Sequence, residues 1–175
     1  MLQATSKTIC SIKPLQEEWC GHLYDRFAHS SLFLSKCDNP DNYHQQLLEN
    51  TESWIALREQ KIIGFICMNW KSDFPPFQEA NIPEITTLIV LPEMRNQGVA
   101  TALISRIELK ALRACRRIGI GVSLSPAYQG IQQLCAKRGF SPSSYGLFYR
   151  KQPVEHNQQV AISEDLQMYY MKQRL

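Results

Sequence analysis

Arg95-Asn96-Gln97-Gly98-Val99-Ala100 is the stretch whose residue types come closest to chemistry. A side chain at Gly98 would obstruct any ligand approaching the backbone, and glycine removes that obstacle. From Val99 onward the apolar positions Val99, Ala102, Leu103 and Ile107 recur at helical spacing, so a helix starts beside the glycine. The first N–H groups of that helix, Val99, Ala100 and Thr101 among them, have no internal partner. The helix dipole adds partial positive charge there, and an anion such as a phosphate suits the place. Two established phosphate loops do not fit, since neither GxxxxGK[ST] nor GxGxxG occurs.

A second group of reactive types lies on Lys71 to Pro83, a segment rich in Pro and polar residues that reads as a long loop. Trp70, Asp73, Phe74, Phe77 and Glu79 are candidates for a substrate wall, with aromatics for apolar contact and carboxylates for a cationic amine. Equally, the aromatics could cover a sheet and the acids be solvated. Composition does not separate the two readings.

The elements that must position these residues follow from periodicity. Ile85 to Val90 is a β-branched apolar run and reads as a buried strand, stopped by Pro92. Before it, a short strand is expected from Thr8 to Ile12, then a helix starting near Pro14 or Leu15 with Leu15, Trp19, Leu23 and Phe27 on one face. A second short helix is expected over Asp41 to Asn50, with Tyr43, Leu47 and Leu48 inward. Trp54–Leu57 and Ile62–Met68 flank a polar turn as a β-hairpin. After the central helix come a buried strand over Ile118 to Leu124 and a helix from Tyr128 to Arg138, ended by Gly139. Strands near Gly146 to Arg150 and Asp165 to Lys172 follow, joined by the polar loop Val154 to Ser163.

At 175 residues the chain reads as one domain spanning 1–175. Its 44% apolar and 20% charged composition is that of a soluble globular protein. A net charge of +3 does not demand nucleic acid and fits a polyanionic cofactor equally well. Lys110, Arg113, Arg116 and Arg117, and again Lys137 and Arg138, lack aromatic or glycine interleaving, so they read as solvated helix faces. The six cysteines show no CxxC pairing and read as small buried hydrophobes in a reducing compartment. His22, His29 and His44 form no ligand pair, so no metal is expected. There is no signal-peptide core and no membrane-length apolar run, and the cytoplasm is the expected location.

Val90-Leu91-Pro92, followed by Arg95, Gly98 and Ala100, resembles the acetyl-CoA signature Q/RxxGxG/A of the GNAT superfamily of N-acetyltransferases. The runs WKSDFPPF, IPEI, VLPEMRNQG, GIGV, KRGF, YRKQPV and EDLQMYYMKQRL look like one bacterial branch of it. The likeness covers the chain from about Trp54 onward, and the first 50 residues match in layout alone. It implies an α/β GNAT fold: a mixed, mostly antiparallel sheet of about seven strands with helices on both faces. It also implies acetyl-CoA as co-substrate, with backbone groups around Leu88, Ile89 and Val90 on pantetheine and the thioester oxygen. Arg95 to Ala100 and Thr101 would hold the pyrophosphate, mainly through their backbone.

The same resemblance makes Glu84, eleven positions before Arg95, the general-base candidate. A carboxylate needs burial or a relaying water for that role. Leu134-Cys135-Ala136-Lys137-Arg138-Gly139-Phe140 is similar to the family run LYxKxGF, whose tyrosine often returns a proton to the CoA thiolate, and here Cys135 stands in its place. Cys135 ranks first as acid by position, Tyr128 or Tyr145 next by chemistry, and an enzyme without a dedicated acid is also open. A covalent acetyl-cysteine route is the weaker mechanism, because no His is near Cys135 in sequence. The implied function is acetyl transfer to a primary amine, on a small molecule or a protein, by direct attack in a ternary complex. The rival is a non-catalytic acyl-CoA-binding sensor. Neither nucleic acid nor a membrane is an expected partner, and a homodimer is left open.

Overall fold

The computed structural model describes residues 10–29 and 50–174. The expected helix over Asp41 to Asn50 lies outside them apart from Asn50, and so do Thr8 and Ile9 of the expected first strand. Eight strands, β1 (Ser11–Pro14), β2 (Thr51–Arg58), β3 (Lys61–Asn69), β4 (Glu84–Val90), β5 (Arg117–Ser123), β6 (Ser141–Tyr149), β7 (Gln152–Pro153) and β8 (Leu166–Gln173), take the order β1-β2-β3-β4-β5-β8-β6-β7 in one sheet. The β1–β2, β5–β8, β6–β8 and β6–β7 pairs are antiparallel and β4–β5 is parallel, so the sheet is mixed and mostly antiparallel. Four α-helices accompany it among the described residues. The chain forms two compact units.

The first unit takes Met1–Met68 and Thr87–Glu108. Strand β1 is Ser11–Pro14, pairing Pro14 with Trp54. Pro14, near which the helix is expected to start, is thus part of the strand, and the helix begins only at Glu17; an edge strand tolerates the proline because one side of its ladder is unused. Helix α1, Glu17–Phe27, carries Glu17 and Glu18 in its first turn and Arg26 in its last, matching the helix dipole. Cys20, Leu23 and Phe27 form its buried face, while Trp19, expected to share a face with Leu23 and Phe27, is half-buried. Strands β2 (Thr51–Arg58) and β3 (Lys61–Asn69) are joined by Glu59 and Gln60, at φ 50° and 59°. Two left-handed central residues make a turn whose twist matches that of the strands.

The second unit takes Asn69–Thr86 and Leu109–Leu175. Lys71 to Pro83 is not wholly loop: Pro75–Glu79 forms the short helix α2. Pro75 and Pro76 occupy its first positions, where no N–H is needed, so the two prolines that argued against a helix begin one. Strand β4 (Glu84–Val90) starts in this unit, where Glu84 and Ile85 pair with Gly119 and Ile120 of β5 (Arg117–Ser123). Helix α4, Gln129–Lys137, ends in a Schellman arrangement: the Phe140 N–H donates to the Cys135 carbonyl at 3.0 Å and the Gly139 N–H to Ala136 at 3.0 Å. Strand β6, Ser141–Tyr149, begins earlier than expected because the ladder to β8 (Leu166–Gln173) absorbs Pro142 beside a register shift. The strand beyond the expected seven is β7, only Gln152–Pro153.

The core of this unit is aromatic. Phe74, Phe77, Ile82, Phe148 and Tyr169 are buried together. Phe74 stacks on Tyr169 with centroids 3.6 Å apart, and Phe77 and Phe148 meet Tyr169 edge-on at 5.5 Å each. Gly119 makes room for it, since a Cβ there would stand 2.1 Å from Phe77 Cε2.

Candidate functional site

Two sets of candidate residues stand out, one in each unit. In the first unit, β4 leaves the sheet through Leu91, whose N–H donates to the Ile63 carbonyl of β3 at 3.0 Å. A 3-10 turn over Pro92–Met94 follows, then the loop, then α3, Val99–Ala114. The loop is shaped by two left-handed residues, Asn96 at φ 59° and Gly98 at φ 83°. Around Gly98 a Cβ would find nothing within 4 Å, so within the protein the glycine serves the turn and leaves the space before α3 open. The Gly98 carbonyl accepts the Ala102 N–H at 3.0 Å, which makes it the first acceptor of α3. Val99, Ala100 and Thr101 therefore carry N–H groups with no acceptor earlier in the helix.

Side chains brace this turn rather than extend from it. Arg95 Nε donates back to the Val90 carbonyl at 3.4 Å, and Gln97 Nε2 donates to the Glu93 carbonyl at 2.9 Å. Val99 is buried, and Leu88 and Ile89 are buried in β4, so any ligand contact from these three comes from backbone. Asn96 and Thr101 are exposed, and Val90 and Ala100 half-buried. A polyanion fits this donor set: open space at Gly98, N–H groups without a partner inside the helix, and a helix dipole.

In the second unit, Glu84 opens β4 half-buried, and its carboxylate is held. The buried Ser72 Oγ donates to Glu84 Oε2 at 2.5 Å and accepts the Phe74 N–H at 2.9 Å. The charge of Glu84 reaches Tyr169, whose phenol is pushed up first by burial and then by that carboxylate. Ser72 and Tyr169 escaped the sequence reading. Ser72 to Phe74 is a serine turn that spacing could have located, but its partner lies twelve residues on.

The other candidates divide by exposure. Phe74 and Phe77 are 1% and 0% exposed, so of the two readings open for them the structure selects sheet cover, and they offer no wall to a substrate. Asp73 and Glu79 are exposed and Trp70 is half-buried. Cys135 is 1% exposed, so its thiol does not face solvent in this structure. Tyr170 of β8 lies near it, its phenol pushed up by burial first and then by Cys135. Tyr128 sits at the start of α4, its phenol pushed up to about 12 by burial first, then by the charge of Glu164 and a hydrogen bond to it. Ser123 fixes this corner. Its Oγ donates to the Ser163 carbonyl at 3.2 Å and accepts the Ser125 N–H at 3.0 Å. Tyr145 is partly exposed, its ring 6.0 Å from that of Phe74.

Among the described residues no cluster of three or more His, Cys, Asp or Glu could hold a metal, and no helix is long and apolar enough to cross a membrane.

Comparison with known proteins gives a family. The model of the acetyltransferase (GNAT) family matches residues 13–140. Solved structures share the fold at low identity. An acetyltransferase of that family from Elizabethkingia anophelis with acetyl-CoA bound is 21% identical, with TM-score 0.64 over 94% of this chain and 98% of its own. A ribosomal-protein-alanine N-acetyltransferase from Brucella melitensis is 17% identical, with TM-score 0.69 over 94% and 99%. An aminoglycoside 6'-acetyltransferase type Ii is 13% identical, with TM-score 0.67 over 93% and 96%. No curated protein matches the sequence.

Proposed function

Because the chain belongs to the GNAT acetyltransferase family, we propose that it moves an acetyl group from acetyl-CoA to a primary amine by direct attack in a ternary complex, the whole chain serving as one catalytic domain. Acetyl-CoA supplies the acyl group as a thioester. The Asn96 to Thr101 backbone holds its pyrophosphate, and Arg95 stiffens the turn by its bond to Val90. Backbone groups of Leu88 to Val90 line up pantetheine. Glu84 takes the proton from the ammonium, directly or through one water, and the freed amine attacks the carbonyl carbon as the C–S bond breaks. The attacking nitrogen loses its second proton as the amide forms, and the departing CoA thiolate takes that proton up directly or through water, while Glu84 returns its own proton to solvent; no side chain is assigned as the thiolate's acid.

The observation that carries this reading is the Ser72–Glu84 hydrogen bond, which fixes a half-buried carboxylate at the start of the central strand. The acceptor class is a small-molecule or protein amine. The fold neighbours named for ribosomal-protein alanine and for aminoglycosides support both kinds. One observation favours the sensor reading: the family's tyrosine position holds a buried cysteine.

Thiol release from acetyl-CoA, measured against spermidine, kanamycin and a peptide with N-terminal alanine, tests the proposal. Release with one amine is expected, and Glu84→Gln should lower kcat by roughly 10²- to 10⁴-fold at unchanged acetyl-CoA affinity. Acetyl-CoA binding without release to any amine would favour the sensor.

A further inference from the structure

We infer that Ser72 is the positioning residue of the base: its hydroxyl is locked so that its one proton points at Glu84 Oε2. This rests on the reading of Glu84 as the base. The locking follows from counting. A serine hydroxyl has one proton to donate and lone pairs to accept. The Phe74 N–H, 2.9 Å away, takes the accepting side, and Glu84 Oε2, 2.5 Å away, is left as the acceptor of the proton. Ser72 is 1% exposed, so water does not compete for either bond. Its backbone is held in turn by the entrance to α2, where Phe74 is clamped on Tyr169 at 3.6 Å. One of the two carboxylate oxygens is thereby fixed in direction, and the orientation of the other follows from the planar geometry of the group. The titratable group facing Glu84 from β8 is Tyr169, whose phenol keeps its proton throughout the neutral range.

Donation to the ionised form favours it. Removing the hydroxyl should therefore move the Glu84 titration upward and loosen the carboxylate, while a purely structural serine would do neither. Side-chain carbon-13 glutamate NMR of the full chain reads this without any acceptor, the Glu84→Gln spectrum assigning the resonance. Ser72→Ala is expected to raise the Glu84 midpoint by about one pH unit, and Ser72→Thr to restore it. In thiol release with whichever of spermidine, kanamycin or the alanine peptide is accepted, Ser72→Ala should lower kcat about tenfold at unchanged KM for acetyl-CoA. An unshifted midpoint in Ser72→Ala overturns the inference, as does a loss of activity that threonine fails to restore. Full activity in Glu84→Gln overturns the base assignment instead, and the Ser72-dependent titration would still be seen. Should Ser72→Ala fail to fold, Ser72→Cys, with its weaker donor, gives the same comparison.

Discussion

Glu84 and Gly98 show how differently single residues can be read from a chain. Gly98 was legible at once, because a glycine before an amphipathic helix has few meanings; its φ of 83° adds that the turn itself requires it. Gly98→Ala should weaken acetyl-CoA binding by backbone strain, on the order of 1–2 kcal/mol, and Gly98→Asn by less, as asparagine tolerates that region. Calorimetric titration with acetyl-CoA measures both. Glu84 was legible by resemblance, but what holds it was not, since a hydrogen bond across twelve residues leaves no trace in spacing. Tyr128 makes a prediction through pH. Its phenol titrates near 10 when unfolded and at about 12 when folded, so the stabilisation is whole below pH 10. Between pH 10 and about 12 the unfolded state loses the proton first, and stability falls. Denaturant melts over that window should show a shallower decline in Tyr128→Phe.

Elements were most readable where one physical cause acts alone. The hairpin of β2 and β3, the buried strand β5 and the glycine-ended helix α4 follow from apolar runs flanking a polar turn, a further apolar run and capping. Helix α2 was not readable, because two prolines break helices everywhere except at the first turn, and tertiary packing of Phe77 decided which applied. The packing is tight enough to test. Gly119→Ala pushes a methyl group into the Phe77 ring and should cost about 1–3 kcal/mol, seen as a lower denaturation midpoint. The β2–β3 turn gives the opposite sign. Glu59 and Gln60 hold left-handed φ without being glycine or asparagine, so Gln60→Gly should stabilise by up to about 1 kcal/mol.

For the whole molecule, the mixed sheet was foreseeable but its division was not: each compact unit is assembled from two separate stretches of chain. Hydrophobic patterning reports what is buried, not which distant segment buries it. Ligand binding gives a global measurement. At a hundredfold excess over its Kd, acetyl-CoA should raise unfolding stability by about 2.7 kcal/mol, and free acetate should not. The aromatic core has a consequence for biosynthesis. Tyr169, on which Phe74 stacks, is made 95 residues after it. At ribosomal speeds of about 5–20 residues per second, the two phenylalanines of α2 and its entrance wait on the order of five to twenty seconds for their partner ring. For that interval the nascent chain displays an uncovered greasy surface, so holding chaperones, not the finished protein's stability, should set how much of it survives synthesis.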